Sequence, residues 1–258
     1  MGSMVAEGGA SANGLAASCR GDNERIAGLL SLIRRESVLG SLAERDLLAL
    51  LRQSIVRALP RQRVLFRAGD PGRIVVMILQ GYVKLSSTAA NDREVVLEIA
   101  GPGTIFGELA VLTEQTRRAD ATTLTPCRVL AIDGCAFRHA LARSPEAMLA
   151  AIRLISDRLS AVTARGIDVV SLPAPVRLAK ALLHLGQLSP ECAGEGRLHI
   201  GLRLSQRELG AMTGLTRESI NKHLRAWRTA GWVQFAGSRV TLSDVVALRN
   251  YVQDNEPG

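Results

Sequence analysis

Apolar positions change their period along this chain. Over residues 23–58 the spacing is helical, with Leu47, Leu48, Leu51 and Ile55 recurring at three- and four-residue intervals, the stripe of an amphipathic helix. Ser41 followed by Glu44 reads as a capping box, in which each side chain satisfies the other residue's free backbone N–H. Between 60 and 133 short β-rich runs take over: Val64–Phe66, Ile74–Leu79, Tyr82–Leu85, Val95–Ile99 and Arg128–Ile132. Turn signals separate them at Gly69, Pro71-Gly72, Gly81, Asn91-Asp92, Gly101-Pro102-Gly103 and Gly107. Runs this short between such turns predict a sandwich or small barrel, with Gln80-Gly81 and Asn91-Asp92 as hairpin corners.

A long helix is predicted next, from about Ser144 to Val170. Met148, Ile152, Ile155, Leu159, Val162 and Val169 fall in the alternating spacing of a heptad seam, with Gly166 in the remaining slot. That period keeps one stripe facing a partner helix and predicts a parallel dimer. The alternative is a helix packed on its own β domain. Ser171-Leu172-Pro173-Ala174-Pro175 breaks helical hydrogen bonding and marks a hinge between domains. Helix is expected to resume at Val176 and run to about Leu188, before a loop holding Pro190 and Gly194.

Residues 203–228 carry the most specific local pattern. Ser205 and Glu208 form a second capping box, opening a helix through about Met212; Gly214 supplies a turn; Thr216 can cap a helix from Arg217 to Arg228. Helix, tight turn, helix is the layout whose second helix enters the major groove. Its first turns present Arg217, Glu218 and Lys222. Arg can bond guanine O6 and N7 together, and Glu accepts from cytosine N4. Trp232–Phe235 and Arg239–Leu242, around Ala236-Gly237-Ser238, form a two-stranded wing whose tip can touch phosphate.

Charge sharpens this picture. The chain of 258 residues carries a net +8 with 3% aromatics. Few aromatics argue against modules that stack unpaired bases. From 197 to 239 there are eight basic residues against two acidic ones, the footprint of a polyanion partner. Clean apolar runs reach only six residues, as at Ile74–Leu79, far below the ~20 residues that span a bilayer, and no secretory signal is expected. A cytoplasmic protein without a membrane partner is the expectation. Cys19, Cys127, Cys135 and Cys192 lack metal or redox spacing, and His139, His184, His199 and His223 form no i, i+4 pair, so no metal site is expected. Gly101-Pro102-Gly103-Thr104-Ile105-Phe106-Gly107 departs from a dinucleotide loop in its last spacing and lies among hairpins. No nucleophile, base and orienter can be assembled, so an enzyme is not expected.

The order of parts resembles the cyclic-AMP receptor protein/fumarate-nitrate regulator family of bacterial transcription factors. The resemblance rests on Phe106-Gly107-Glu108-Leu109-Ala110, Arg117-Arg118-Ala119-Asp120-Ala121 and Leu215-Thr216-Arg217-Glu218-Ser219-Ile220-Asn221-Lys222. Covering roughly residues 42–242, it implies an α+β chain: a β-roll effector-binding domain with flanking helices over 23–143, a dimerisation helix over 144–171, and a winged helix-turn-helix DNA-binding domain over 172–258; the low-complexity composition of 1–22 reads as a disordered tail. Arg217, Glu218 and Lys222 would then read bases, while Ser205, Arg207, Thr216, Ser219 and the turn at Gly237 would contact phosphates. The family often has Arg where Lys222 stands, and Lys is the poorer bidentate donor.

The β-domain motif resembles the family's phosphate-binding cassette, which places Gly107, Glu108, Leu109, Arg117, Arg118 and Ala119 against an effector, with Thr163 reaching it from the long helix. Arg117 would take the phosphate; Arg118 stands where cyclic-AMP binders have Ser or Thr. Cyclic AMP, another nucleotide, or no small ligand all remain open, as does pairing of Glu108 with Arg117 itself. The resulting expectation is a homodimeric regulator of a palindromic duplex, with RNA polymerase as a further partner. The alternatives are an effector-independent regulator and a nucleotide-sensing module acting on a protein.

Overall fold

The computed structural model describes Ile33 and residues 38–188, 190–192, 197–236 and 239–255. The tail expected over 1–22, with Cys19, and the wing-tip Gly237 lie outside them. A 3-10 turn (Val38–Ser41) leads into helix α1 (Glu44–Arg52). Leu47 and Leu50 of α1 are buried in a core shared with Met77, Leu130 and Phe137. The Ser41–Glu44 capping box does not form. Ser41 is taken up by the 3-10 turn, and the N-cap is Ala43, with no side-chain cap bond.

The helical period also fails at its end. Ile55–Leu59 is strand β1, paired antiparallel in register Ile55↔Ala131 to Leu59↔Cys127. Ile55 fits the helical spacing, but Gln53 closes α1 as its C-cap, and backbone pairing with a distant strand outweighs a local periodicity.

The remaining strands of the roll are β2 (Val64–Phe66), β3 (Ile74–Gln80), β4 (Val83–Thr88), β5 (Glu94–Ala100), β6 (Ile105–Phe106), β7 (Asp120–Thr123) and β8 (Cys127–Asp133), with helix α2 (Glu108–Leu112) after β6. They form two four-stranded sheets ordered β1-β8-β3-β6 and β2-β7-β4-β5. Asn91-Asp92 turns the β4–β5 hairpin, Asp92 taking φ 58. Gln80-Gly81 is not a hairpin corner: it carries the chain from one sheet to the other. Gly81 holds φ 86, and a Cβ there would come 2.4 Å from the Pro126 carbonyl oxygen, so glycine is required. Phe66, Val76, Ile78, Phe106 and Val129 fill the space between the sheets.

Helix α3 (Gly134–Ala142) is capped by Asp133, which accepts from the Ala136 N–H. Helix α4 (Pro145–Ser171) is capped by Ser144, with Pro145 in its first turn, where a missing N–H costs nothing. Ala147 and Ala151 bury the start of α4 against the roll. Beyond them most of the seam is exposed, Ile152 at 55%, Leu159 at 67% and Val169 at 51%, with Ile155 half-buried.

Helix α5 (Ala174–Leu188) starts two residues earlier than the prolines suggest, because Pro175 sits in a first turn that needs no N–H there. The break itself is held by Arg177, whose Nη1 donates to Val169 O at 3.1 Å and Leu172 O at 2.8 Å. Pro190–Cys192, expected as loop, forms strand β9 against β10 (Leu198–Ile200). Then come α6 (Gln206–Thr213), α7 (Arg217–Thr229), β11 (Val233–Ala236), β12 (Arg239–Leu242) and α8 (Val245–Asn255). The four strands form one sheet, β11-β12-β10-β9, behind a core that includes Leu182, Leu209, Ile220, Leu224 and Trp227.

Candidate effector pocket and nucleic-acid interface

At the β6–α2 junction Gly107 takes φ 84 and opens α2. This turns the Glu108 side chain inward, to 2% exposure. The carboxylate does not pair with Arg117. It meets Arg158 of α4, whose Nη1 donates to Oε1 at 2.5 Å. Arg158 Nη2 donates to the Ile105 carbonyl, and its Nε stands 3.0 Å from Glu98 of β5. Burial opposes the charge on Arg158, but Glu108 and then Glu98 outweigh it and raise its pKa. Glu108 Oε2 is buried with no hydrogen-bond partner among the described residues.

Arg117 is also buried, at 4% exposure. Its Nη1 donates to Gly107 O at 2.7 Å and its Nη2 to Ile74 O at 2.6 Å. The guanidinium lies 4.2 Å over the Phe66 ring, and burial lowers its pKa, with Glu108 and Asp70 opposing. Here Arg117 is a brace that ties the carbonyl of the Gly107 turn to that of Ile74 at the start of β3. Arg118 is exposed and donates to Gln115 at 2.6 Å; Leu109 is 44% exposed. Ala119 is half-buried beside Arg118, and Thr163 is exposed on α4, in the turn after Arg158. The structure therefore brings Gly107, Glu108 and Arg117 together and leaves Leu109, Arg118 and Thr163 toward solvent. Sequence reasoning missed Arg158. Its signal was available: it lies one turn before Val162, on the helix already assigned to the effector side.

In the C-terminal domain Ser205 accepts from the Glu208 N–H and Glu208 bonds back to the Ser205 backbone, a complete capping box. Gly214 takes φ 70 and closes α6, and Thr216 accepts from the Ser219 N–H to start α7. Ile220, Leu224 and Trp227 bury one face of α7. That fixes the opposite face outward, where Arg217, Glu218 and Lys222 are exposed. Ser205, Arg207 and Thr216 are exposed around the same turn, and Ser219 is half-buried. Near Lys222, His223 is held below the usual imidazole range by burial and then by that ammonium.

The roll and the C-terminal domain are in contact. Val96, Ile99 and Leu124 of the roll join the core of the C-terminal domain. Tyr82 donates its hydroxyl hydrogen to Leu188 O at 3.2 Å, and Arg61 donates to Arg203 O at 3.3 Å. The roll is thus packed directly against the domain that carries the α6–α7 pair.

A β-roll with a buried Glu108–Arg158 ion pair, joined through one long helix to a winged helix-turn-helix, has the architecture of a DNA-binding transcription regulator. Residues 56–144 match the cyclic nucleotide-binding domain and residues 176–251 the Crp-like helix-turn-helix domain. The chain is 34% identical over 185 residues to the CRP-like cAMP-activated global transcriptional regulator of Mycobacterium tuberculosis, spanning 72% of this chain and 82% of that protein. It is 30% identical over 203 residues to the cyclic AMP receptor protein of Thermus thermophilus, spanning 74% and 85%. The chain belongs to the cyclic-AMP receptor protein/fumarate-nitrate regulator family of transcription regulators. Among solved structures, the c-di-GMP responsive global regulator CLP of Xanthomonas campestris matches with a TM-score of 0.67 at 25% identity, over 78% of this chain and 99% of that one. No helix among the described residues is long and apolar enough to cross a membrane.

Proposed function

We propose that the protein is a homodimer that reads a palindromic duplex and whose docking is set by a small anionic nucleotide in the roll. The observation that carries it is the outward face of α7, where Arg217, Glu218 and Lys222 stand exposed on a helix anchored by Ile220, Leu224 and Trp227. Arg217, Glu218 and Lys222 read base edges; Ser205, Arg207, Thr216, Ser219 and the wing turn at Gly237 contact phosphate. The largely exposed heptad seam of α4 supplies the partner contact, which sets two recognition helices about one helical turn of DNA apart. The proposed domain limits are 23–143 for the roll, 144–171 for the dimerisation helix and 172–258 for the DNA-binding domain. RNA polymerase is the further partner that family membership implies, in the cytoplasm, and the protein performs no catalysis.

For the effector, the unpartnered Glu108 Oε2 fits a ribose hydroxyl donor, and the turn at Gly107 and Leu109 lies beside it. Arg118 is the accessible cation for phosphate, since both Nη groups of Arg117 already serve carbonyls. Thr163 of α4 completes the site near the base. Cyclic AMP heads the candidates, because the Mycobacterium tuberculosis relative is named as cAMP-activated; c-di-GMP follows, because the Xanthomonas campestris regulator is described as c-di-GMP responsive. A hydroxyl on Glu108 Oε2 shares the carboxylate that Arg158 of α4 holds through Oε1, so effector binding bears directly on α4 and its seam. The occupied Nη groups of Arg117 favour a second reading, an effector-independent regulator. Two experiments test this. Unbiased selection of bound duplexes returns a two-fold symmetric motif; its absence refutes the dimeric reader. A thermal-shift panel of cyclic AMP, cyclic GMP and c-di-GMP shows stabilisation by one; no shift with any establishes the second reading.

A further inference from the structure

The helix-turn-helix holds a side-chain network that base reading alone does not require. Gln206 is the first residue of α6, and Asn221 lies one turn after Arg217 on α7. Arg217 Nε donates to Gln206 Oε1 at 2.9 Å. Asn221 Nδ2 donates to the same oxygen at 3.1 Å, and Gln206 Nε2 donates back to Asn221 Oδ1. The two amides therefore form a closed pair, half-buried between the helices, while Arg217 is exposed.

This pairing has one consistent orientation. Reversing the Gln206 amide would set its NH2 against two other donors, the Arg217 Nε–H and the Asn221 NH2. Asn221 thus keeps Gln206 Oε1 facing Arg217. With Nε tied, the Nη1 and Nη2 edge of the guanidinium is the edge left for guanine O6 and N7. An arginine already held in one rotamer loses less side-chain freedom when it docks. The geometry of a bidentate contact is planar, so a guanidinium free to rotate forfeits much of its discrimination.

We propose that Gln206 and Asn221 are positioning residues for Arg217, an amide buttress that sets the geometry of its guanine contact and so the specificity at one base pair of each half-site. This rests on the reading of Arg217 as a base-contacting residue, and the test separates the two. The full chain is measured against its selected palindrome, the same palindrome with the Arg217-contacted pair replaced in both half-sites, and a random duplex. The ratio of the first two affinities is the discrimination; the third reports folding and phosphate binding together. Gln206→Ala and Asn221→Ala each lower the discrimination roughly tenfold across the dimer, with random-duplex affinity unchanged and the double variant no worse than either. Gln206→Glu keeps the acceptor for Arg217, so discrimination is retained while added charge weakens every duplex.

If Gln206→Ala weakens all three duplexes equally and leaves the ratio intact, Gln206 is a phosphate contact and the buttress is overturned. If Arg217→Ala removes discrimination but both alanine variants keep it, base reading stands and the buttress falls. If Arg217→Ala leaves the ratio unchanged, both readings are overturned. Should Gln206→Ala lose random-duplex binding through misfolding, Asn221→Ala answers the same question from the other helix.

Discussion

Replacing Arg158 by Met tests the link between pocket and helix most directly. Methionine keeps most of the buried stem but removes the charge. Glu108, at 2% exposure, then loses its partner while staying out of water. Removing one member of a buried pair costs about 3–5 kcal/mol. The Arg158 side chain is 18% and that of Glu98 26% exposed, so water relieves part of the penalty and the low end applies, about 3 kcal/mol. At roughly 2–4 °C per kcal/mol for a chain of this size, the first thermal transition falls by roughly 6–12 °C. The check is a double-mutant cycle in urea and heat. Glu108→Gln placed on Arg158→Met removes the stranded charge and recovers at least half of the loss. A single variant costing under about 1 kcal/mol, or a double variant whose cost is the sum of the singles, refutes the claim that Glu108 and α4 are tied through this arginine.

Further outcomes follow from other elements. Leu159→Glu, at a seam position 67% exposed in the isolated chain, acts twice in a symmetric dimer; losing about 2 kcal/mol per copy raises the dimer dissociation constant roughly a thousandfold, read by analytical ultracentrifugation, and an unchanged constant places the interface elsewhere. Ser205→Ala removes the cap of α6 and lowers stability by about 1 kcal/mol, measured as a drop in the urea midpoint; no drop means the box is dispensable. Burial and then Arg165 hold His184 below its ordinary value of 6.5, with Glu98 opposing. The unfolded chain therefore binds this proton more readily, so its stability contribution is present above that value and is lost as pH falls below it. His184→Gln flattens that part of the stability profile, and a slope identical to that of the parent chain refutes the assignment.

The local signals were legible because they are short-range. Ser205 and Glu208 sit three residues apart and form their box where a helix begins, as Ser41 and Glu44 at the same spacing do not; Thr216 and Gly214 fix the turn, and Ile220, Leu224 and Trp227 fix which face of α7 points out. The heptad of α4 was readable for the same reason, since its period is a property of one helix. The basic cluster from 197 to 239 and the order of segments were likewise written in the chain.

Tertiary structure decided the rest, wherever a residue's partner lies far away in sequence. Ile55 continues a helical stripe on paper, yet it becomes strand because the distant β8 supplies its backbone partners. Gln80-Gly81 looks like a hairpin corner, but the sheets close on other neighbours and the turn becomes a crossing. The motif points Arg117 at a phosphate; in the folded chain its guanidinium bonds the Gly107 and Ile74 carbonyls and lies over the Phe66 ring. Arg158 takes the carboxylate instead, across 50 residues of chain. Periodicity and capping are set by neighbours within a turn or two, so sequence alone determined α4 to α7 and the recognition motif, while α2, α3 and α8 emerged only in the fold. Pairing of distant charges and strands depends on which surfaces meet, and only the folded chain settles that.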